Sequence, residues 1–284
     1  MPDAAQINAD QLAFWDGQGG RTWVARQEHT DITLAPVSEA LLALAAPRTG
    51  ERVLDVGCGC GASTLEFARA VGPAGRVSAL DISGPMLAEG RRRAEAAGIS
   101  NIDWRQDDAA TAALDGFDLL VSNFGLMFFG DPVGAFSHMR RAAKAGARMA
   151  FVCWQSLTEN PWIGVPMNAV SPHVLPRPQA DPQAPGMFAF ADPQRVSGIL
   201  TAAGWASPRF DRFALDLDIA AGRGLEEAVV QSTQIGAINS WLRGQPGAVV
   251  AAAVASISEA LAAHQDGPSV RLPGAVWLVS SSRD

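Results

Sequence analysis

The feature that most constrains this chain of 284 residues is the stretch Val53-Leu54-Asp55-Val56-Gly57-Cys58-Gly59-Cys60-Gly61-Ala62-Ser63-Thr64. An apolar strand carrying one carboxylate runs into three alternating glycines, and a helical pattern (Leu65, Phe67, Ala68, Val71) follows. Glycines at a strand-to-helix turn let the backbone approach a ligand closely, because no Cβ stands in the way. The helix after them offers unpaired N–H groups at its start, which suit a polar or anionic group. The stretch therefore marks a nucleotide-type cofactor site near the start of an α/β sheet.

Two cofactors compete on these residues. Gly57-x-Gly59-x-x-Ala62 fits the dinucleotide pattern G-x-G-x-x-G/A, and Asp81 lies near the distance of a ribose-binding acid. Asp55 argues the other way. It sits in the strand two residues before Gly57, where a pyrophosphate would meet a negative charge, while a ligand with an ammonium group and a cationic centre would gain from it.

Composition bounds the partners. A net charge of −7, with 48% hydrophobic and 18% charged residues, supports a sizeable core and lacks the clustered Lys and Arg that phosphate binding needs. Arg91-Arg92-Arg93 is the one basic cluster, and within the helical stretch 86–97 it reads as a solvated face. Met1-Pro2-Asp3-Ala4 has no signal-peptide pattern, and the apolar run 248–255 is far short of a membrane span. Three cysteines, an odd number, give no disulfide framework and fit a reducing cytoplasm. Cys58 and Cys60 read as small residues of a glycine loop with mild thiol reactivity from the adjacent helix start, and no metal site is expected. With no tyrosine, a phenol acid or base is excluded.

Beyond the glycines, strand and helix patterns alternate, which implies a parallel sheet covered on both faces. Strands are expected at 76–81, 101–106, 117–122, 147–154, 209–217 and 274–280. Helices are expected at 85–97, 132–144 and 192–203, with Ser83 and Asp192 as caps. A single domain, 1–284, is expected to contain a helical preface (1–46), a cofactor half (47–156), a proline-rich lid (157–190) and a second half (191–284) with a two-helix insertion at 224–264. Long loops without secondary structure are often functional.

The string Asp55-x-Gly57-x-Gly59-x-Gly61 resembles motif I of the class I S-adenosylmethionine-dependent methyltransferases. The whole chain resembles the bacterial ubiquinone/menaquinone-biosynthesis type, in 14–23, 53–64, 117–132, Asn160-Pro161-Trp162 and 271–279. The resemblance implies a Rossmann-like, seven-stranded, mostly parallel sheet whose last strand is antiparallel. It implies S-adenosylmethionine as cofactor, with Gly57, Cys58, Gly59 and Gly61 around the methionine portion and Asp55 favouring its ammonium directly or through water. Asp81 falls at the ribose, Ile82 and Met86 flank the adenine, and Asp108-Ala109 falls at its amino group and ring. Asp107 is the alternative to Asp108. Read alone, Asp81 and Asp108 would serve as capping or turn acids. Asn123 ends the fourth strand beside the transferable methyl, without the two prolines of nucleic-acid amino-group methyltransferases.

Methyl transfer from a sulfonium needs alignment and exclusion of water, and a base only where the acceptor must lose a proton. His29 is the first candidate base, and Trp23, Phe128, Trp162 and His173 are candidates for contact with the acceptor. The expected function is methylation of a small, largely apolar acceptor, quinone-like or phenolic. The alternatives are an NAD(P)-dependent oxidoreductase and a non-catalytic S-adenosylmethionine-binding sensor or scaffold. Neither nucleic acid nor stable membrane insertion is expected, and a homodimer is left open.

Overall fold

The computed structural model describes residues 4–114, 116–175, 181, 183–234 and 236–284. Three helices open the chain, α1 (Ala4–Trp15), α2 (Gln18–Ala25) and α3 (Gln27–Ala45). Strand and helix then alternate through β1 (Arg52–Val56), α4 (Ala62–Val71), β2 (Arg76–Asp81), α5 (Gly84–Ala96) and β3 (Ile102–Gln106). Next come β4 (Phe117–Asn123), α6 (Pro132–Ala142), β5 (Ala143–Trp154), α7 (Pro161–Val170), α8 (Pro193–Ala202) and β6 (Ala206–Asp218). The chain ends with α9 (Leu225–Gln234), α10 (Gly236–Leu242), α11 (Gly247–Ala262), β7 (Gln265–Asp266) and β8 (Ser269–Ser282).

Seven strands lie in the order β3-β2-β1-β4-β5-β8-β6, and the two-residue β7 pairs with β8. β1 pairs in parallel with β2 and β4, as do β2 with β3 and β4 with β5. β8 runs antiparallel to both β5 and β6. This is the Rossmann-like sheet that the resemblance implies. Apolar runs explain its centre: Val53, Leu54 and Val56 of β1 and Leu119, Leu120 and Val121 of β4 are all buried, as strands covered on both faces require. Phe136, Phe151 and Phe190 pack ring against ring beneath α6. Asp131, Ser83 and Asp192 accept backbone N–H groups at the starts of α6, α5 and α8, satisfying donors that a helix start leaves unpaired. Strand order reverses between β1 and β4, so a crevice opens at the carboxyl ends of the strands, where ligands of such sheets bind.

The differences from the sequence reading lie outside this centre. The proline-rich segment is not a structureless loop. Its first half forms a short 3₁₀ turn, α7 and a second 3₁₀ turn, because Pro161 occupies the first helical position, where no N–H is needed. Residues 176–180 and 182 of that segment, residues 1–3 of the preface and residue 235 of the insertion lie outside the described residues. The insertion holds three helices rather than two. β8 begins five residues earlier than expected, and Pro273 is tolerated because it lies beyond Val276, the last residue of β8 paired with β5.

Candidate functional site

The strand ends open onto a cavity of about 1810 Å³. Gly57, Cys58 and Gly59 border it from the loop after β1, and Asp81, Ile82 and Met86 from the β2–α5 turn. Asp108 and Ala109 follow β3, and Asn123 ends β4. Gly59 makes close approach possible. Its φ is +55°, and a Cβ there would meet only Met86 Sδ, at 3.9 Å, so the space above it is open. A Cβ on Gly57 would fall 2.6 Å from Gly125 Cα. The glycine loop and the turn after β4 therefore touch backbone to backbone.

Asp81 holds this loop in shape. Its Oδ2 accepts the Gly59 N–H at 2.7 Å and its Oδ1 the Ser83 N–H at 2.8 Å. Burial raises its pKa to about 6, against the pull of those donors. Lone pairs remain on both oxygens for hydroxyl donors of a ligand.

Asp55 and Gly61 require correction, since neither borders the cavity. The Asp55 side chain is fully buried under the glycine loop, where Oδ2 accepts the Thr64 hydroxyl at 2.6 Å. Its Oδ1 is buried without a hydrogen-bond partner among the described residues. Burial raises its pKa to about 7, opposed by the Thr64 hydroxyl and reinforced by the charge of Asp81. The carboxyl group therefore presents no oxygen to the cavity. Gly61 serves packing: a Cβ there would lie 2.6 Å from the Trp104 ring.

The preface roofs the β2–β3 end. Asp16 Oδ1 accepts the Gly84 N–H at 2.8 Å and the Gln106 amide at 3.0 Å. Asn8 donates to Asp108 Oδ2 at 3.2 Å and accepts the Gly130 N–H at 3.0 Å. Asp107 pairs instead with Arg105, at 3.0 Å. Trp15 meets Trp23 and Phe128 edge to face, with centroids 6.1 and 5.5 Å apart. Trp23 and Phe128, expected against an acceptor, border the cavity on this roofed side. Arg93 is no solvated residue: it donates to the Cys60 carbonyl at 2.7 Å and pairs with Asp31 at 2.6 Å, tying the glycine loop to α3. Burial pushes the Cys60 thiol up to about 12 and Cys58 well above its ordinary value, which opposes the thiolate that the expected mild reactivity needs.

The far end is aromatic. Phe124 adopts φ +66° just after β4, an uncommon conformation held by its N–H on the Val152 carbonyl and by its ring stacked on Trp154. The centroids of that pair are 4.5 Å apart, and Trp154 meets Trp162 at 4.9 Å. Trp162 borders the cavity. Fully buried Asn160 fixes it, with Oδ1 accepting Trp162 Nε1–H at 3.1 Å and the Ala275 N–H at 3.0 Å.

The two histidines do not reach this space. His173 Nε2 lies 2.8 Å from Ser256 Oγ on α11, off the cavity wall. His29 is 1% exposed; its Nε2–H donates to the Ile219 carbonyl at 3.0 Å, and Nδ1 accepts from Arg26 at 3.3 Å. Burial, then the Arg26 charge, lowers its pKa, so the ring is neutral. The cause is helical geometry. Thr30, Leu34 and Ser38 recur every four residues on the cavity side of α3, with Arg26 just before the helix, and His29 projects away toward β6 and α9. Arg26 itself pairs with Glu227 and donates Nε–H to Gln231 at 2.8 Å. No sequence signal joins residues about two hundred positions apart.

Comparison with known proteins places this geometry in a lineage. A sequence model of the ubiE/COQ5 methyltransferase family matches residues 38–180, just over half of the chain. Aklanonic acid methyltransferase DauC of Streptomyces sp. (strain C5) is 37% identical over 118 residues, which are 41% of this chain and 54% of that protein. The ubiquinone/menaquinone biosynthesis C-methyltransferase UbiE of Roseobacter denitrificans is 33% identical over 142 residues, 49% of this chain and 56% of its own. The chain thus spans about half the length of these curated relatives. Among solved structures, the YcgJ protein of Bacillus subtilis shares the fold with a TM-score of 0.56 at 16% identity, covering 87% of this chain and 97% of its own. The chain belongs to the ubiE/COQ5 methyltransferase family.

Proposed function

We propose that the chain transfers a methyl group from S-adenosylmethionine to a small, largely apolar acceptor. One observation carries the reading: the open face of Gly59 lies in a basin of acids, with Asp81 and Asp108 on the wall and Asp55 beneath the loop. Among the described residues the arginines bordering the cavity are Arg26 and Arg243, on α2–α3 and after α10, and no lysine borders it. Asp81 and Asp108 offer a pyrophosphate acceptors rather than donors, whereas an ammonium and a sulfonium are favoured beside them. When bound, S-adenosylmethionine supplies a methyl already activated on positively charged sulfur. Gly57 and Gly59 give its methionine portion room, Asp81 accepts its hydroxyls, and Asp108 with Ala109 meets the adenine. Asn123 borders the cavity, and its Oδ1 is buried and unpartnered among the described residues.

The aromatic far end aligns the acceptor and excludes water. The names of the relatives, one acting on aklanonic acid and one in ubiquinone/menaquinone biosynthesis, support a quinone-like or phenolic acceptor. With His29 and His173 turned away, an acceptor whose nucleophile is ionised on arrival suits the site best. No helix among the described residues is long and apolar enough to cross a membrane, and we place the protein in the cytoplasm. Calorimetric titration with S-adenosylmethionine, S-adenosylhomocysteine and NADH tests the cofactor. Saturable NADH binding without a response to S-adenosylmethionine refutes it. Transfer of labelled methyl to phenolic and quinol acceptors tests the reaction.

A further inference from the structure

A cavity of about 1810 Å³ exceeds the roughly 300–1,000 Å³ that encloses one drug-sized ligand. It has room for the cofactor and for a second molecule of several rings. Phe124, Trp154 and Trp162 wall the far end in mutual contact, and Phe188 and Trp241 also border the cavity. Among the polar side chains of the cavity wall, Gln231 is buried and held from behind by another side chain. Gln231, on α9, is 9% exposed. Its Oε1 accepts Arg26 Nε–H at 2.8 Å, and the same guanidinium is pinned by Glu227 and His29. The amide therefore cannot flip: its oxygen is committed to the arginine. Its NH₂ group has no hydrogen-bond partner among the described residues, so the cavity is offered donors only.

We propose that Gln231 recognises the acceptor, donating its amide N–H to a ring carbonyl oxygen of a rigid, multi-ring molecule, and that Arg26 positions it. The inference rests on the reading of this cavity as a methyltransferase site. The length of the acceptor follows from α3. Ser38 accepts the Asn123 amide at 3.0 Å, at the β4 end beside the glycine loop. Arg26 stands twelve residues earlier, just before the helix, about 18 Å away at 1.5 Å per residue. A fused ring system covers more of that interval than a single ring does. An acceptor lacking the oxygen would leave a buried donor unpaired. Sites built around a hydrogen bond reject such analogues far more strongly than apolar pockets reject a missing methylene.

The test is a titration of the protein saturated with S-adenosylhomocysteine, read by tryptophan fluorescence. The probes are hydroxyfluorenone, its carbonyl-free counterpart hydroxyfluorene, and the one-ring ketone hydroxyacetophenone. The wild type should bind hydroxyfluorenone at least tenfold more tightly than either of the others. Gln231→Met should keep hydroxyfluorene binding and lose the ketone preference. Arg26→Met, which frees the amide to flip, should reduce that preference several-fold. S-adenosylhomocysteine affinity should be unchanged in both variants and reports an intact fold. Gln231→Glu, a second variant at the same position, should invert the preference, because a carboxylate offers no donor. A full ketone preference in Gln231→Met or Gln231→Glu, or none in the wild type, overturns the inference. Failure of the wild type to bind S-adenosylhomocysteine instead sinks the cofactor reading beneath it.

Discussion

Replacing Asp55 with asparagine should make the ligand-free protein more stable, and increasingly so as pH rises. Asp55 is fully buried and burial raises its pKa from 3.8 to about 7. The native state thus holds a proton that the unfolded chain releases. Stability from this group is complete below pH 3.8, is lost as pH rises toward 7, and is flat above that. At 1.36 kcal/mol per tenfold change, the whole displacement is worth about 4 kcal/mol, of which roughly 2–3 kcal/mol falls between pH 5 and pH 8. The asparagine side chain cannot ionise and keeps an oxygen for the Thr64 hydroxyl, so it mimics the protonated acid. Asp81, also raised by burial, is present in both proteins and largely cancels. At about 2–4 °C per kcal/mol for a chain of this size, the melting-point advantage of Asp55→Asn should grow by roughly 5–10 °C between those pH values. Differential scanning fluorimetry across that range reads it directly. S-adenosylhomocysteine, whose ammonium offsets the buried charge, should stabilise the wild type more than the variant at pH 8. A pH-independent difference, or a variant less stable at pH 8, refutes the reasoning.

The second and third glycines of the loop should separate binding from folding. Gly59→Val should abolish S-adenosylhomocysteine binding while the fold persists by circular dichroism, whereas Gly61→Val, driven into Trp104, should lower the melting temperature sharply. Asp81→Ala should weaken S-adenosylmethionine by about 10- to 100-fold, or about 1.5–3 kcal/mol, in calorimetric titration. Unchanged affinity would remove it from the site. Trp162→Ala should raise the acceptor KM with little change in cofactor affinity, the pattern of lost uniform binding, and normal acceptor kinetics in a destabilised protein would make Trp162 a packing residue only. The His29 joint should loosen in acid. The pKa of His29 is lowered, so its contribution is full above about pH 6.5 and is lost as pH falls through the native value. The stability gap between wild type and His29→Gln should therefore narrow from pH 7.5 to pH 5.5, and a constant gap would refute a neutral structural role.

Legibility followed locality. The glycine loop, the caps at Ser83 and Asp192 and the strand ending at Asp81 depend on neighbours within a few residues, and all could be read along the chain. Asp55 could be placed in its strand but not in its surroundings. That its carboxylate serves Thr64 under the loop depends on how α4 leaves the sheet. His29 and His173 attracted attention as titratable groups, yet their partners, Ile219 and Ser256, lie far along the chain. Arg93, Gln231 and Arg26 gave no signal, because each matters only once α3, α5 and α9 are assembled. The proline-rich segment misled for a definite reason. Pro161 reads as a breaker in a list of prolines, but at the first turn of a helix it is a starter.

The three helices between β6 and β8 carry a consequence for how this protein changes over time. Gln231 and Trp241 come from that insertion, which joins two adjacent antiparallel strands and lies outside the matched residues 38–180. The cofactor basin draws its strand-end residues from the chain between β1 and β4. Substitutions and length changes in the insertion therefore alter what is gripped at the far wall without disturbing the donor of the methyl. Such a layout lets the far wall vary one helix at a time while the strand-end half of the chain keeps its fold.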